Sequence, residues 1–258
     1  MTNESHVQAI IANMIDTFAF LSGNSPLVQF VRTAACARIE TDLPLPIFNR
    51  VFSYMPEGDA AAEVGSIAES YRARGMRCSW HTYSHAPDEA VEQALRANGF
   101  EFGGSLTGMA ASLEGRTIAA ERVPGLGISA IRTEEELASF KRVFVAEYGL
   151  PDALAAAFTD AFAFDPKGRA RYYLASLNGE PVGSAMTYGE GDTAGLYTVA
   201  TLKAFRSRGI GSAVTAYALR DMQESGIKFA ILQASPMGTN VYRRLGFDDA
   251  VTINVHVG

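Results

Sequence analysis

The sequence predicts a mixed α/β (α+β) fold in two halves, each a mostly antiparallel sheet flanked by helices. Three observations carry that prediction. In the second half, short β-rich runs alternate with amphipathic helical stretches. Between residues 114 and 127 the periodicity lapses around Pro124, Gly125 and Gly127, which places a boundary between halves 1–122 and 123–258. A faint internal repeat relates the halves: Gly75, a Trp80-containing strand, a helix over 88–97 and Gly99-Phe100 mirror Gly226, its strand, its helix and Gly246-Phe247.

Taken in order, Val7, Ile10, Ile11, Met14, Ile15 and Phe18 recur at three- and four-residue spacing and predict a helix, stopped by the breaker cluster at 22–26. After the boundary, 128–132 reads as a strand. Thr133 with Glu136 forms a capping box that starts a helix running to about Glu147. A further helix is expected over 152–162. Strands over 171–176 and 182–188 flank Asn178-Gly179, a pair suited to the positive φ of a tight hairpin turn. Another strand follows at 196–201. Ile210, Val214, Ala218 and Met222 then make one apolar helix face, ended by Gly226. A strand over 228–233, a short helix over 239–245 and a strand over 251–255 complete the pattern.

Composition narrows the function. The 258 residues are 48% hydrophobic and 19% charged, so a real core can form. No uncharged apolar run approaches the roughly 18 residues of a membrane span, and no basic flank precedes the first apolar stretch, so a soluble cytoplasmic protein without a membrane partner is expected. A net charge of −6 offers no general field for nucleic acid; a polyanion must be held locally. Cys36 and Cys78 form no metal-ligand spacing with the histidines, and no metal is expected.

The informative segment is LYTVATLKAFRSRGIGS, residues 196–212, where a β-rich run passes through a basic loop into an amphipathic helix. A helix start leaves backbone N–H groups unpaired and partly positive, a natural seat for phosphate. Gly209 and Gly211 remove the side-chain bulk that would hold a diphosphate off those amides, and Arg206 and Arg208 add charge. Val214 breaks the dinucleotide fingerprint, and no Gly-Lys-Ser/Thr follows to make a nucleotide-triphosphate loop.

In this context RSRGIG resembles the R/Q-x-x-G-x-G/A loop of the GNAT N-acetyltransferases, and the downstream strand with Ser235, Asn240 and Tyr242-Arg243-Arg244-Leu245-Gly246-Phe247 resembles that family's second cofactor-contacting segment. The resemblance implies that Arg206, Ser207, Arg208, Gly209, Ile210, Gly211 and Ser212 cradle the diphosphate of acetyl-CoA. It implies that Val199 and Thr201, on a bulged strand, bond the pantetheine arm and polarise the thioester, that Asn240 touches that arm, and that Tyr242 protonates the departing thiolate. Glu147 is the candidate general base.

In the first half, 43–52 and 76–100 resemble the degenerate first domain of tandem GNAT proteins. The stretch before Gly75 carries Glu57, Asp59, Glu63 and Glu69 with no such loop, so this half is expected to bind no CoA and to brace its neighbour or wall the acceptor pocket. Alternation along the strand sends Trp80 inward and His81 outward. The expected activity is direct acetyl transfer to a primary amine of a small molecule or peptide, by a monomer or homodimer. A non-catalytic acyl-CoA sensor and a protein-binding scaffold are the competing readings.

Overall fold

The computed structural model describes residues 2–150, 155 and 159–258. The helix expected over 152–162 lies largely outside the described residues. In chain order the elements are α1 (Asn3–Gly23), β1 (Gln29–Arg32), β2 (Cys36–Glu40), β3 (Arg50–Tyr54), α2 (Ala60–Arg72), β4 (Ser79–Tyr83), α3 (Glu89–Ala97) and β5 (Glu101–Ser112). They continue with β6 (Leu126–Ala130), α4 (Glu134–Tyr148), β7 (Ala170–Leu177), β8 (Glu180–Glu190), β9 (Thr193–Thr201), α5 (Ile210–Glu224), β10 (Phe229–Ala234), α6 (Thr239–Arg244) and β11 (Asp248–Val257).

Local chemistry sets several boundaries. Thr133 Oγ1 accepts from the Glu136 amide (3.2 Å) while the Glu136 carboxylate accepts from the Thr133 amide (3.1 Å), the reciprocal capping that starts α4. Gly149 ends that helix at φ 61°. Asn178 and Gly179 turn β7 into β8 at φ 51° and 86°.

All eleven strands among the described residues form one sheet, in the order β1-β2-β3-β4-β11-β5-β10-β9-β8-β7-β6. The halves are interlocked. β11, from the end of the chain, lies between β4 and β5, while β5, from the first half, lies between β11 and β10. Each half thus inserts its last strand into the other. The sequence reading missed β5 because Gly103, Gly104 and Gly108 weaken a strand pattern. Two of these glycines are required by close packing: a Cβ on Gly108 would meet Val251 at 2.6 Å, and one on Gly103 would meet Val257 at 2.9 Å.

Both faces are covered. On one, α5 sets Val214, Leu219 and Met222 against Tyr173, Val182, Leu196 and Leu232, and α2 with α3 covers Val51, Trp80 and Phe100. On the other, α1 and α4 bring Leu21, Phe140 and Phe144 onto Tyr172, Met186 and Tyr188, and α1 also covers Ile39 and Phe52. This two-sided burial corrects one expectation. His81 is not a surface residue; it is only 2% exposed, because the face opposite Trp80 lies under α1 and not in solvent.

Candidate active site

The parallel pair β9–β10 is bonded only from Thr193 and Phe229 to Leu196 and Leu232. Beyond that the strands separate and leave a notch in the sheet. At the same place β9 is irregular: its register with β8 shifts between Ser184/Ala200 and Met186/Tyr197, and Thr198 takes φ 48°, a left-handed conformation costly for a β-branched residue. The bulge frees main-chain groups of β9 that a continuous ladder would consume.

From the end of β9 the chain passes through a 3-10 turn, Lys203–Phe205, into the start of α5. Ser207 (φ 61°) and Gly209 (φ 80°) both adopt left-handed backbone, so successive amides curl into a concave nest. α5 has no side-chain cap, and the amides of Ser207 through Ser212 find no acceptor among the described residues. This is the electrostatic profile of an anion seat.

A cleft of about 790 Å³ joins nest and notch. It is lined by Val199, Thr201, Arg206, Ser207, Gly209, Ile210, Gly211 and Ser212, and across from them by Tyr242 and Glu147. Ten of the twelve candidate residues therefore meet in one place. The other two stand outside the lining. Arg208 stacks over the Phe205 ring at 5.4 Å, and Asn240 is exposed with its side-chain oxygen accepting from Arg243 (3.2 Å). Glu147 is bonded to the Arg206 guanidinium, so the one cleft carboxylate on α4 neutralises an arginine of the basic loop. Tyr242 packs its ring on Phe247 at 6.0 Å, and its hydroxyl has no partner among the described residues. Burial, with Tyr148 adding, raises the pKa of that phenol above its ordinary range, so it holds its proton at neutral pH.

The sequence reading missed Thr215 and gave no role to Arg244. Thr215 Oγ1 is buried in the cleft wall without a partner among the described residues. Of the two adjacent arginines, Arg243 is consumed by Asp249 (2.5 Å), whereas Arg244 faces the cleft with no ion partner among the described residues. The linker contributes as well: Ala119, Ala120 and Glu121 form one rim, held there by Arg220, which donates to the Ile118 carbonyl (3.0 Å).

Residues 132–247 match the family model of the acetyltransferase (GNAT) family. The chain carries a GNAT acetyltransferase domain. That domain makes it an acyltransferase, and the match spans the notch, the nest and Tyr242 alike. No curated protein matches the chain. Among solved structures, a GCN5-related N-acetyltransferase from Kribbella flavida shares its fold at TM-score 0.70 and 19% identity, over 96% of this chain and 93% of that one. A GCN5-related N-acetyltransferase from Sphaerobacter thermophilus gives TM-score 0.64 at 14% identity, over 87% and 80%. A tandem GNAT protein from the clavulanic acid biosynthesis pathway gives 0.61 at 14%, over 96% and 94%. These likenesses extend across both halves, so the GNAT domain and the strands interlocked with it form one recurring fold.

Proposed function

We propose that the protein transfers an acetyl group from acetyl-CoA directly to a primary amine. The observation that carries this reading is the continuous path from the uncapped entrance of α5, along the bulged strand β9, to the free hydroxyl of Tyr242. Acetyl-CoA supplies the activated acyl group. The amides of Ser207 through Ser212 hold its diphosphate, with Arg206 and Arg244 adding charge. Main-chain groups near Val199 and Thr201 align the pantetheine arm and polarise the thioester carbonyl, an interaction that strengthens as negative charge grows on that oxygen.

The chemistry balances with residues in the cleft. The amine nitrogen forms a C–N bond as the C–S bond breaks, its proton passes to Glu147, and Tyr242 Oη supplies the proton taken up by sulfur. For Glu147 to accept a proton its pair with Arg206 must open, and a diphosphate competing for the guanidinium supplies the means. In this reading 1–122 and 123–258 are two GNAT-like units of which only the second binds CoA, and the protein works as a cytoplasmic monomer or homodimer.

Tyr242→Phe tests the central role. It is expected to lower kcat about 100-fold while the acetyl-CoA dissociation constant stays near wild type. Lost affinity at full turnover would contradict it. A sensor would bind acetyl-CoA and consume none with any amine.

A further inference from the structure

The first half contributes an unusual group to the α1/α4 face of the sheet. Arg50, at the start of β3, places its guanidinium 5.7 Å from the Phe18 ring centroid and 5.8 Å from that of Phe52. Among the described residues its enclosed Nε has no hydrogen-bond partner and no carboxylate pairs with it. Burial pulls the pKa down to about 10, which leaves the group charged at neutral pH. On the next strand, His81 lies 6.1 Å from Phe52, ring centre to ring centre, buried with both ring nitrogens unpartnered among the described residues. Burial and then Arg50 hold it neutral, able to donate one N–H.

A desolvated cation and an unsatisfied imidazole side by side are expensive to leave unmatched. Two phenylalanine faces compensate the charge in part but satisfy no N–H. The cluster adjoins the α4 side of β9: Phe48, two residues before Arg50, is buried in one core with Phe140 and Phe144 of α4 and Ala200 of β9. Tyr148, at the end of α4 and next to Glu147, is electrostatically coupled both to Arg50 and to Tyr242. The diphosphate nest, by contrast, belongs to α5 on the opposite face of the sheet.

We propose that Arg50 and His81 form the anion subsite of the acceptor, and that the amine acetylated here carries a carboxylate. This assignment rests on the acetyl-transfer reading and narrows it: the first half selects the substrate that the second half acetylates. The guanidinium takes the carboxylate, His81 donates a further N–H, and the amine is left to reach the thioester.

Matched acceptors test this: glycine with glycinamide, β-alanine with β-alaninamide, and 4-aminobutyrate with its amide, each followed by acetyl-CoA consumption. The acid of at least one pair is expected to exceed its amide about 10- to 100-fold in kcat/KM, mostly through KM. Arg50→Gln should raise KM for that acid far more than for its amide and collapse the preference, with Arg50→Lys retaining part of it. Thermal shift on the wild-type protein gives a reading independent of variant folding: the N-acetylated acid should raise the melting temperature and the N-acetylated amide should not. Amides that serve as well as acids, or a preference that survives Arg50→Gln, would overturn the subsite while leaving acetyl transfer intact. CoA binding with no amine consumed would remove the transfer reading and the subsite with it.

Discussion

Two helices, α2 and α5, leave the sheet from matching places and meet opposite fates. Each connects the two strands of a parallel pair that is bonded only at its start, β3–β4 over Arg50/Ser79 and Val51/Trp80, and β9–β10 over four residues. The entrance of α2 is closed by its own carboxylates: Asp59 accepts from the Ala61 amide (3.0 Å), and Glu63 accepts from the Glu57 amide (3.3 Å) and the Tyr54 hydroxyl (2.6 Å). The entrance of α5 has glycine at the cap and no side-chain acceptor among the described residues. An anion seat is made as much by what the chain withholds as by what it supplies. α2 carries its anion internally, whereas α5 leaves its amides to a ligand.

That contrast can be broken by exchange. Gly209→Asp gives α5 the self-cap of α2 and puts a carboxylate where phosphate belongs; acetyl-CoA affinity is expected to fall at least about 100-fold by calorimetry, and retained affinity would refute the nest. Arg206→Ala removes charge but not amides, so the loss should be smaller, about tenfold, and should shrink as salt is raised. Asp59→Ala sharpens the comparison from the other side. It should cost about 1 kcal/mol of stability and lower Tm by about 2–4 °C, with acetyl-CoA affinity unmoved.

What the sequence disclosed and what it hid divide along the same line. The capping box at Thr133, the Asn178-Gly179 turn and the glycine loop are local devices, each specified by residues a few positions apart, and all stand where their spacing predicts. The exchange of β5 and β11 is non-local. Nothing in Glu101–Ser112 announces that its neighbours come from the other end of the chain, and glycines that read as breakers are there to let Val251 and Val257 approach. His81 was misplaced for a related reason: alternation tells which face a side chain takes but not whether a helix covers that face. Arg208 and Asn240 stand outside the cleft lining because motif spacing fixes a backbone path, while stacking on Phe205 and bonding to Arg243 decide where the side chains go.

The stoichiometry of acetyl-CoA binding to the intact chain addresses the account most directly. One equivalent per chain by calorimetry, abolished by Gly209→Asp and preserved by Asp59→Ala, is the predicted result. Two equivalents, none, or a single one that survives Gly209→Asp would contradict the claim that open amides at the start of α5, and nowhere in the first half, make the cosubstrate site.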